Sequence, residues 1–239
     1  MKYLDLTLPT PAENLACEEA LLDYCEQGRE EELLRFWEPR QHFVVLGYAN
    51  KAATEVNLKA CETNLVPVLR RCSGGGTVLQ GPGCLNYSLV LRIQRGSALA
   101  TISDTNTYIM KQQLKALQPL LSTSSSVQGH TDLAINNVKF SGNAQRRKRH
   151  FLIFHGTILL NFDLPLIENL LAMPSKQPDY RQNRRHSDFL TNLNLPVETV
   201  KHAIQRTWAV TEPLTDWPQE QTADLVLNKY STDEWNLRF

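Results

Sequence analysis

Three short stretches of this 239-residue chain carry side chains able to do chemistry. The first is Arg70-Arg71-Cys72-Ser73-Gly74-Gly75-Gly76-Thr77, directly after a strand-like run. Three successive glycines leave the backbone bare, so a ligand can touch it and its N–H groups can point at an anion. The arginines beside them bring charge suited to a phosphate or a carboxylate. No Lys-Ser/Thr pair follows, which excludes a Walker loop, and the Gly-x-Gly-x-x-Gly spacing of a dinucleotide fold is absent. The second stretch joins Gly129-His130-Thr131-Asp132-Leu133 to Lys139-Phe140-Ser141-Gly142-Asn143-Ala144-Gln145. On a regular strand Lys139, Ser141 and Asn143 share one face, and Phe140, Gly142 and Ala144 share the other. A lysine, a hydroxyl and an amide in one row suit an oxygen-rich ligand, and the small residues let another element pack close behind. The third is His155-Gly156-Thr157, a polar trio in the apolar run 151–162 that needs partners, a ligand being one source.

Each stretch also has a plainer reading: a flexible turn, a solvated strand face, a satisfied core histidine. Two basic runs stand beside them. Arg146-Arg147-Lys148-Arg149 fills a hairpin loop and is either solvated or steers an acidic partner. Arg181, Arg184, Arg185 and His186 lie in a long loop after Pro174 and Pro178, which either connects or closes over a nucleotide.

The elements that must position these groups are legible in outline. Thr10-Pro11-Ala12-Glu13 has the form of a capping box, and the helix it opens runs to about Gln27 and stops at Gly28. Residues 33–37 and 43–46 read as strands joined across Glu38-Pro39-Arg40, and 66–71 and 85–93 as two more. Residues 104–121 have helical spacing, and 122–126 read as a loop. Asn136-Asn137 links 133–135 to 138–145 as a two-residue hairpin turn, and 151–162 returns as a long strand. Helix signals follow around 165–171, 196–208 and 218–230. Strands dominate the first two thirds and hairpins outnumber crossovers. The expected fold is therefore a mixed α/β domain of the α+β type rather than a doubly wound sheet.

Composition sets the outer limits. Lys+Arg 25 balance Asp+Glu 25, which argues against nucleic acid or a membrane surface held by bulk charge. No apolar run approaches the ~18 residues of a membrane span. Asp5 stands where a signal peptide needs apolar residues, and an odd count of five cysteines suits a reducing compartment, so the expected location is the cytoplasm.

Taken together, the segments closely resemble the lipoate–protein ligase A family of the biotin/lipoate ligase superfamily. The resemblance rests on Arg70 to Val78, Leu85-Asn86-Tyr87-Ser88, Gly129 to Leu133, Lys139 to Gln145 and His155-Gly156-Thr157-Ile158-Leu159-Leu160, in family order. It covers roughly residues 15–193, with Glu234-Trp235-Asn236 as a further fragment. It implies a mixed, largely antiparallel sheet flanked by helices, with lipoate or octanoate, ATP and Mg²⁺ as reactants. It further implies an acyl-adenylate, then transfer of the acyl group to a lysine of a small lipoyl-carrier domain. Carried over by position, Lys139 would be catalytic, touching both the acyl carbonyl and the α-phosphate. Arg71 and the backbone of Gly76, Thr77, Val78 and Leu79 would hold the nucleotide. Gly74, Gly75, Gly76, Lys139, Ser141 and His155 would hold lipoate in a narrow apolar tunnel, with Ser73, Asn86, Asp132 and Gly142 as further candidates. No metal-ligand cluster is visible.

Two departures bear on this. The chain ends at Trp235-Asn236-Leu237-Arg238-Phe239, about where the accessory C-terminal domain of full-length ligases begins, so the resemblance implies a single catalytic domain over residues 1–239. That leaves open a separate accessory protein, activation without one, or transfer of a ready-made acyl group. His130 stands where the family often has Arg. The alternative is a transferase that takes octanoyl or lipoyl groups from acyl carrier protein through a cysteine thioester. All five cysteines (Cys17, Cys25, Cys61, Cys72, Cys84) precede Leu85, away from where a transferase nucleophile is sought, and Cys72 reads better as a small residue packed beneath the glycines. A non-catalytic acyl-binding subunit is opposed by the joint presence of Arg71, the glycines, Lys139 and His155. Biotin ligation fits the glycine and arginine arrangement less well.

Overall fold

The Thr10 hydroxyl accepts the Glu13 N–H at 3.2 Å while the Glu13 carboxylate accepts the Thr10 N–H at 2.7 Å, so the capping box closes as the sequence predicts. It starts α1 (Pro11–Glu26), which follows strand β1 (Lys2–Asp5). A computed structural model describes residues 1–28 and 31–239. After α1 come β2 (Leu33–Trp37), β3 (Phe43–Leu46), α2 (Ala52–Glu55), α3 (Leu58–Thr63), β4 (Val68–Arg70), β5 (Val78–Gln80) and β6 (Cys84–Arg92). The middle holds α4 (Ile102–Leu117), β7 (Ser125–Gln128), β8 (Asp132–Ile135), β9 (Val138–Arg147) and β10 (Phe151–Leu159). The last third holds α5 (Leu164–Leu170), α6 (His186–Phe189), α7 (Val197–Thr207), β11 (Glu212–Pro213), α8 (Gln219–Leu225) and α9 (Asp233–Asn236).

Eight strands form one sheet in the order β11-β1-β2-β6-β10-β9-β8-β7. β1 is parallel to β2 and β11, and every other pair is antiparallel. A second sheet, β4-β3-β5, holds the glycine run between its outer strands. This is the mixed, largely antiparallel architecture flanked by helices that the sequence implies. Strands 33–37 and 43–46 do not pair with each other, because Pro39 lies in the link and the chain crosses between sheets there.

The central strands of the large sheet are buried on both faces. Leu85, Tyr87, Leu89 and Leu91 of β6 alternate with Asn86, Ser88 and Val90 as a strand requires. The first set packs with Phe154, Phe140, Ile109 of α4 and Ile204 of α7 in the main core. On the other face Val90 joins Leu33 and Ile153 against Leu21, Leu22 and Cys25 of α1. α1 has buried residues all round because α8 covers its outer side.

Several expectations need correcting. The second half of 122–126 enters β7, an edge strand whose polar residues face water and so leave no alternating apolar signal. The run Arg146-Arg147-Lys148-Arg149 is solvated only at Arg149, which is exposed. Arg146 donates to Cys72 O at 2.9 Å, Arg147 to Leu99 O at 2.7 Å and Thr105 Oγ1 at 3.0 Å, and Lys148 pairs with Asp23. The 181–186 segment is no loose cover either. Arg181 is buried and donates to Arg184 O, Arg184 donates back to Arg181 O, and His186 Nε2 lies 3.2 Å from Ala172 O.

Candidate active site

Asn136 and Asn137 both take positive φ, 50° and 62°, which is the mirror-image turn a two-residue hairpin link favours. That turn sets β9 against β8, but the pairing then slips. Ala134 pairs with Lys139 and Leu133 with Ser141, so β9 carries one extra residue in a bulge. The slip reverses the face assignment expected from strict alternation. Phe140, Ser141 and Asn143 turn toward the main core: Ser141 is buried between Leu133 and Ile158 in register, and Asn143 accepts from Tyr87 OH at 2.6 Å. Lys139 instead shares the opposite face with Gly142 and Ala144. A Cβ on Gly142 would come within 2.7 Å of Lys139 Nζ, so the glycine is what lets the lysine lie across the strand. Ser141, read from the sequence as a neighbour of Lys139, is thus on the wrong side of the sheet to join it.

Register carries that face across three more strands. Ala144, His155, Ser88 and Arg35 make one row, and Gly142, Thr157, Asn86 and Trp37 the next. Glu18 of α1 lies over both. Its Oε1 accepts Trp37 Nε1–H at 3.0 Å and Ser88 Oγ–H at 2.5 Å, and its Oε2 meets His155 Nδ1 at 2.5 Å. Asn86 accepts from Thr157 Oγ1 at 2.6 Å and donates to Gln80 Oε1 at 2.9 Å, so Asn86 holds its neighbours in place. Asp132 accepts from Lys139 Nζ and Tyr180 OH, each at 2.8 Å, and burial followed by the Asp132 charge pushes the Tyr180 phenol up, keeping it a donor. His130 is exposed.

The glycine run rests on this face. Gly75 has φ of +89°, and a Cβ there would meet Arg71 Nη2 at 2.8 Å and Ala144 Cβ at 3.5 Å. On Gly74 or Gly76 a Cβ would meet nothing within 4 Å, so these two present bare backbone to open space. Arg71 is buried and spends its guanidinium on the loop itself, donating to Ser73 Oγ at 3.0 Å, Gly74 O at 2.6 Å and Gly76 O at 2.8 Å. Burial pushes it down to about 10. Arg71 therefore shapes the cradle rather than reaching out of it. Thr77 has a buried hydroxyl without a protein partner. Val78 and Leu79 turn their side chains into apolar clusters, leaving backbone on a strand at the edge of its sheet.

The structure thus gathers Ser73, Gly74, Gly75, Gly76, Asn86, Asp132, Lys139, Gly142 and His155 around one face. Sequence reasoning missed Glu18, Trp37 and Ser88. One signal was available for Glu18: it sits amid Leu15, Ala16, Cys17, Ala20, Leu21 and Leu22, in a helix too apolar to leave an acid in water. Burial raises the Glu18 carboxyl, but the charge and hydrogen bond of His155, with Arg35 and Ser88, overcome that and bring it to about 2. A carboxyl whose folded value lies below its unfolded value stabilises fully above about pH 4.5, and that stability is lost as pH falls toward 2. The contribution is roughly 3 kcal/mol. Urea unfolding between pH 5 and pH 2 should show a steeper stability loss for the wild type than for Glu18→Gln; parallel slopes would refute this.

The lipoyl protein ligase A/B catalytic-domain model matches residues 10–209. The octanoyltransferase LipM of Brevibacillus brevis is 25% identical, over 99% of this chain and 98% of its own length. Lipoate–protein ligase 1 of Staphylococcus aureus is 30% identical, over 99% of this chain and 73% of its own length. A solved lipoate-protein ligase A bound with ATP superposes with a TM-score of 0.80 at 24% identity, covering 99% of this chain and 98% of that one. A bi-partite lipoate protein ligase of Thermoplasma acidophilum, from a study that includes its E2 lipoyl domain, gives 0.83 at 22% identity, covering 99% and 95%. Among the described residues no helix is long and apolar enough to cross a membrane.

Proposed function

The chain belongs to the lipoyl protein ligase A/B catalytic-domain family, and from that premise we propose that it is an ATP-dependent lipoate–protein ligase. A lipoate or octanoate carboxylate oxygen attacks the α-phosphorus of ATP, the bond to pyrophosphate breaks, and acyl-adenylate forms. The free amine of a lysine on a lipoyl-carrier domain then attacks the acyl carbon, and the C–O bond to AMP breaks. Lys139 supplies positive charge beside the oxygens on which charge grows in both steps. Gly74 and Gly76, with the backbone of Thr77, Val78 and Leu79, line the nucleotide side, and Arg71 holds that backbone in shape. The Thr77 hydroxyl, partnerless within the protein, suits a phosphate oxygen. The acyl chain runs along the small residues Gly75, Gly142 and Ala144 toward His155. Burying an octanoyl-length tail contributes about 5 kcal/mol at ~0.8 kcal/mol per methylene. ATP brings Mg²⁺, whose ligands come mostly from the phosphates. The catalytic unit spans residues 1–239 and works in the cytoplasm, with a separate accessory protein as a candidate partner, since one structural relative is bi-partite.

The observation that carries this reading is that Lys139 lies on the face beneath the glycine run while every cysteine is unsuited to be a nucleophile. All five are buried, and burial pushes Cys25, Cys72 and Cys84 up to about 12 and raises Cys17 and Cys61. A thioester transferase needs a thiolate at neutral pH. The names of several relatives favour octanoyl transfer as the second reading. The deciding experiment offers an apo lipoyl domain either lipoate or octanoate with ATP and Mg²⁺, or octanoyl-acyl carrier protein, and weighs the domain afterwards. The ligase gains mass with the first set, and Cys72→Ser changes the rate by less than about twofold. Mass gained only from the carrier protein, and lost in Cys72→Ser, overturns the ligase reading. No gain from any donor, with a candidate partner present, leaves a non-catalytic acyl-binding subunit.

A further inference from the structure

One buried chain of groups ties the glycine run to the sheet. Glu18 Oε2 meets His155 Nδ1 at 2.5 Å, and the far ring nitrogen, Nε2, meets Ser73 Oγ at 2.5 Å. All three residues are buried, and they come from a helix, a strand and the loop. An ionised carboxylate can only accept, so a ring proton sits on Nδ1. Ser73 Oγ, hydrogen-bonded to Nε2, also accepts from Arg71 Nε–H at 3.0 Å. Glu18 thus fixes the Nδ1 proton and with it the orientation of the ring whose far nitrogen holds Ser73.

We propose that Glu18 is a positioning residue: by holding the His155 ring in place it pins Ser73, and through Ser73 it sets how closely Gly75 lies over Ala144. Its consequence for substrate rests on the ligase reading, because that gap is where the acyl chain lies. Glu18 itself touches no substrate. Its leverage comes from geometry, since Ser73 begins the run and Gly75, two residues on, lies so near the strand that a Cβ on it would stand 3.5 Å from Ala144 Cβ. Loss of the hold loosens the run, which keeps the bonds of Tyr48 N–H to Ser73 O and of Arg146 to Cys72 O, without disturbing Lys139, which Asp132 anchors separately.

Glu18→Gln tests this with little change of shape. The glutamine oxygen still accepts from Trp37 and Ser88, but its amide N–H cannot accept the Nδ1 proton, so the bond that holds the His155 ring from the Glu18 side is lost. Hydrogen exchange in the full-length protein should then quicken about tenfold across residues 73–77, with exchange in α4 unchanged. Ser73→Ala should give a similar increase, and the double variant no more than either single one, since both cut the same chain. In the lipoylation assay KM for the acyl acid should rise about tenfold with a smaller fall in kcat. Unchanged loop exchange in Glu18→Gln, or full additivity in the double variant, overturns the proposal. Should Glu18→Gln fail to fold, Ser73→Ala alone decides, because it leaves Glu18 paired to His155. Absence of turnover in the wild type would sink the ligase reading, while the exchange measurement would still judge the relay.

Discussion

Lys139→Ala is expected to slow acyl transfer to a lipoyl domain by about 10²–10³-fold while leaving the chain folded. The size follows from what the ammonium opposes: charge that grows on a phosphoryl and then on an acyl oxygen, in a site partly shielded from water. The fold should tolerate the change because the side chain lies across Gly142 at the surface of the sheet, outside the apolar clusters. Asp132 is not orphaned by it, since Tyr180 OH still donates at 2.8 Å. Lys139→Met, which keeps the length and removes the charge, should lose as much. The check is a single-turnover assay alongside a thermal melt. Activity within about fivefold of wild type would remove Lys139 from the chemistry.

Arg70→Met should cost about 3–5 kcal/mol of unfolding free energy, a large part of the 5–15 kcal/mol typical of a domain. Arg70 is fully buried. It donates to Gly47 O at 2.9 Å, Tyr48 O at 3.1 Å and Asn50 O at 2.7 Å from one nitrogen, and to Trp235 O at 3.1 Å and Asn236 O at 3.0 Å from the others. Methionine fills the space and leaves the Asn50, Trp235 and Asn236 carbonyls without that donor, while Gly47 O keeps Asn50 N–H and Tyr48 O keeps Arg238. Trp235 Nε1–H closes the loop by donating to Arg70 O at 2.8 Å, so the last residues of the chain and the 47–50 turn share one clamp. That turn supports the glycine run through Tyr48 N–H, which donates to Ser73 O at 2.8 Å. Urea denaturation of wild type and variant measures the cost. A loss under about 1 kcal/mol would mean that water replaces the guanidinium.

The neighbouring arginines illustrate why local reading stops short. Arg70 and Arg71 are adjacent and look alike in sequence, and both were expected to offer charge near an anion. The backbone sends one toward the C-terminal segment and folds the other back under the loop, so both end as donors to carbonyls of this chain. Composition cannot reveal that, because the carbonyls they meet come from up to 166 positions away. The same holds for Arg146, whose partner, Cys72 O, is 74 positions distant.

By itself the sequence determined what depends on neighbours a few residues apart. The capped first helix, the Asn136-Asn137 turn, the strand over 85–93 and the bare glycine run all follow from local sterics and short-range hydrogen bonds, and so they stand in the fold as read. Tertiary structure alone decided which side of β9 Lys139 occupies. One extra residue opposite Ala134 inverts every later position, and its presence depends on how β8 and β9 meet, not on either strand's own pattern. It also decided the place of Glu18, a helical acid made tolerable in the interior by an imidazole 137 residues away. Burial energies and long-range pairing are properties of the assembled chain, and no window of local sequence contains them.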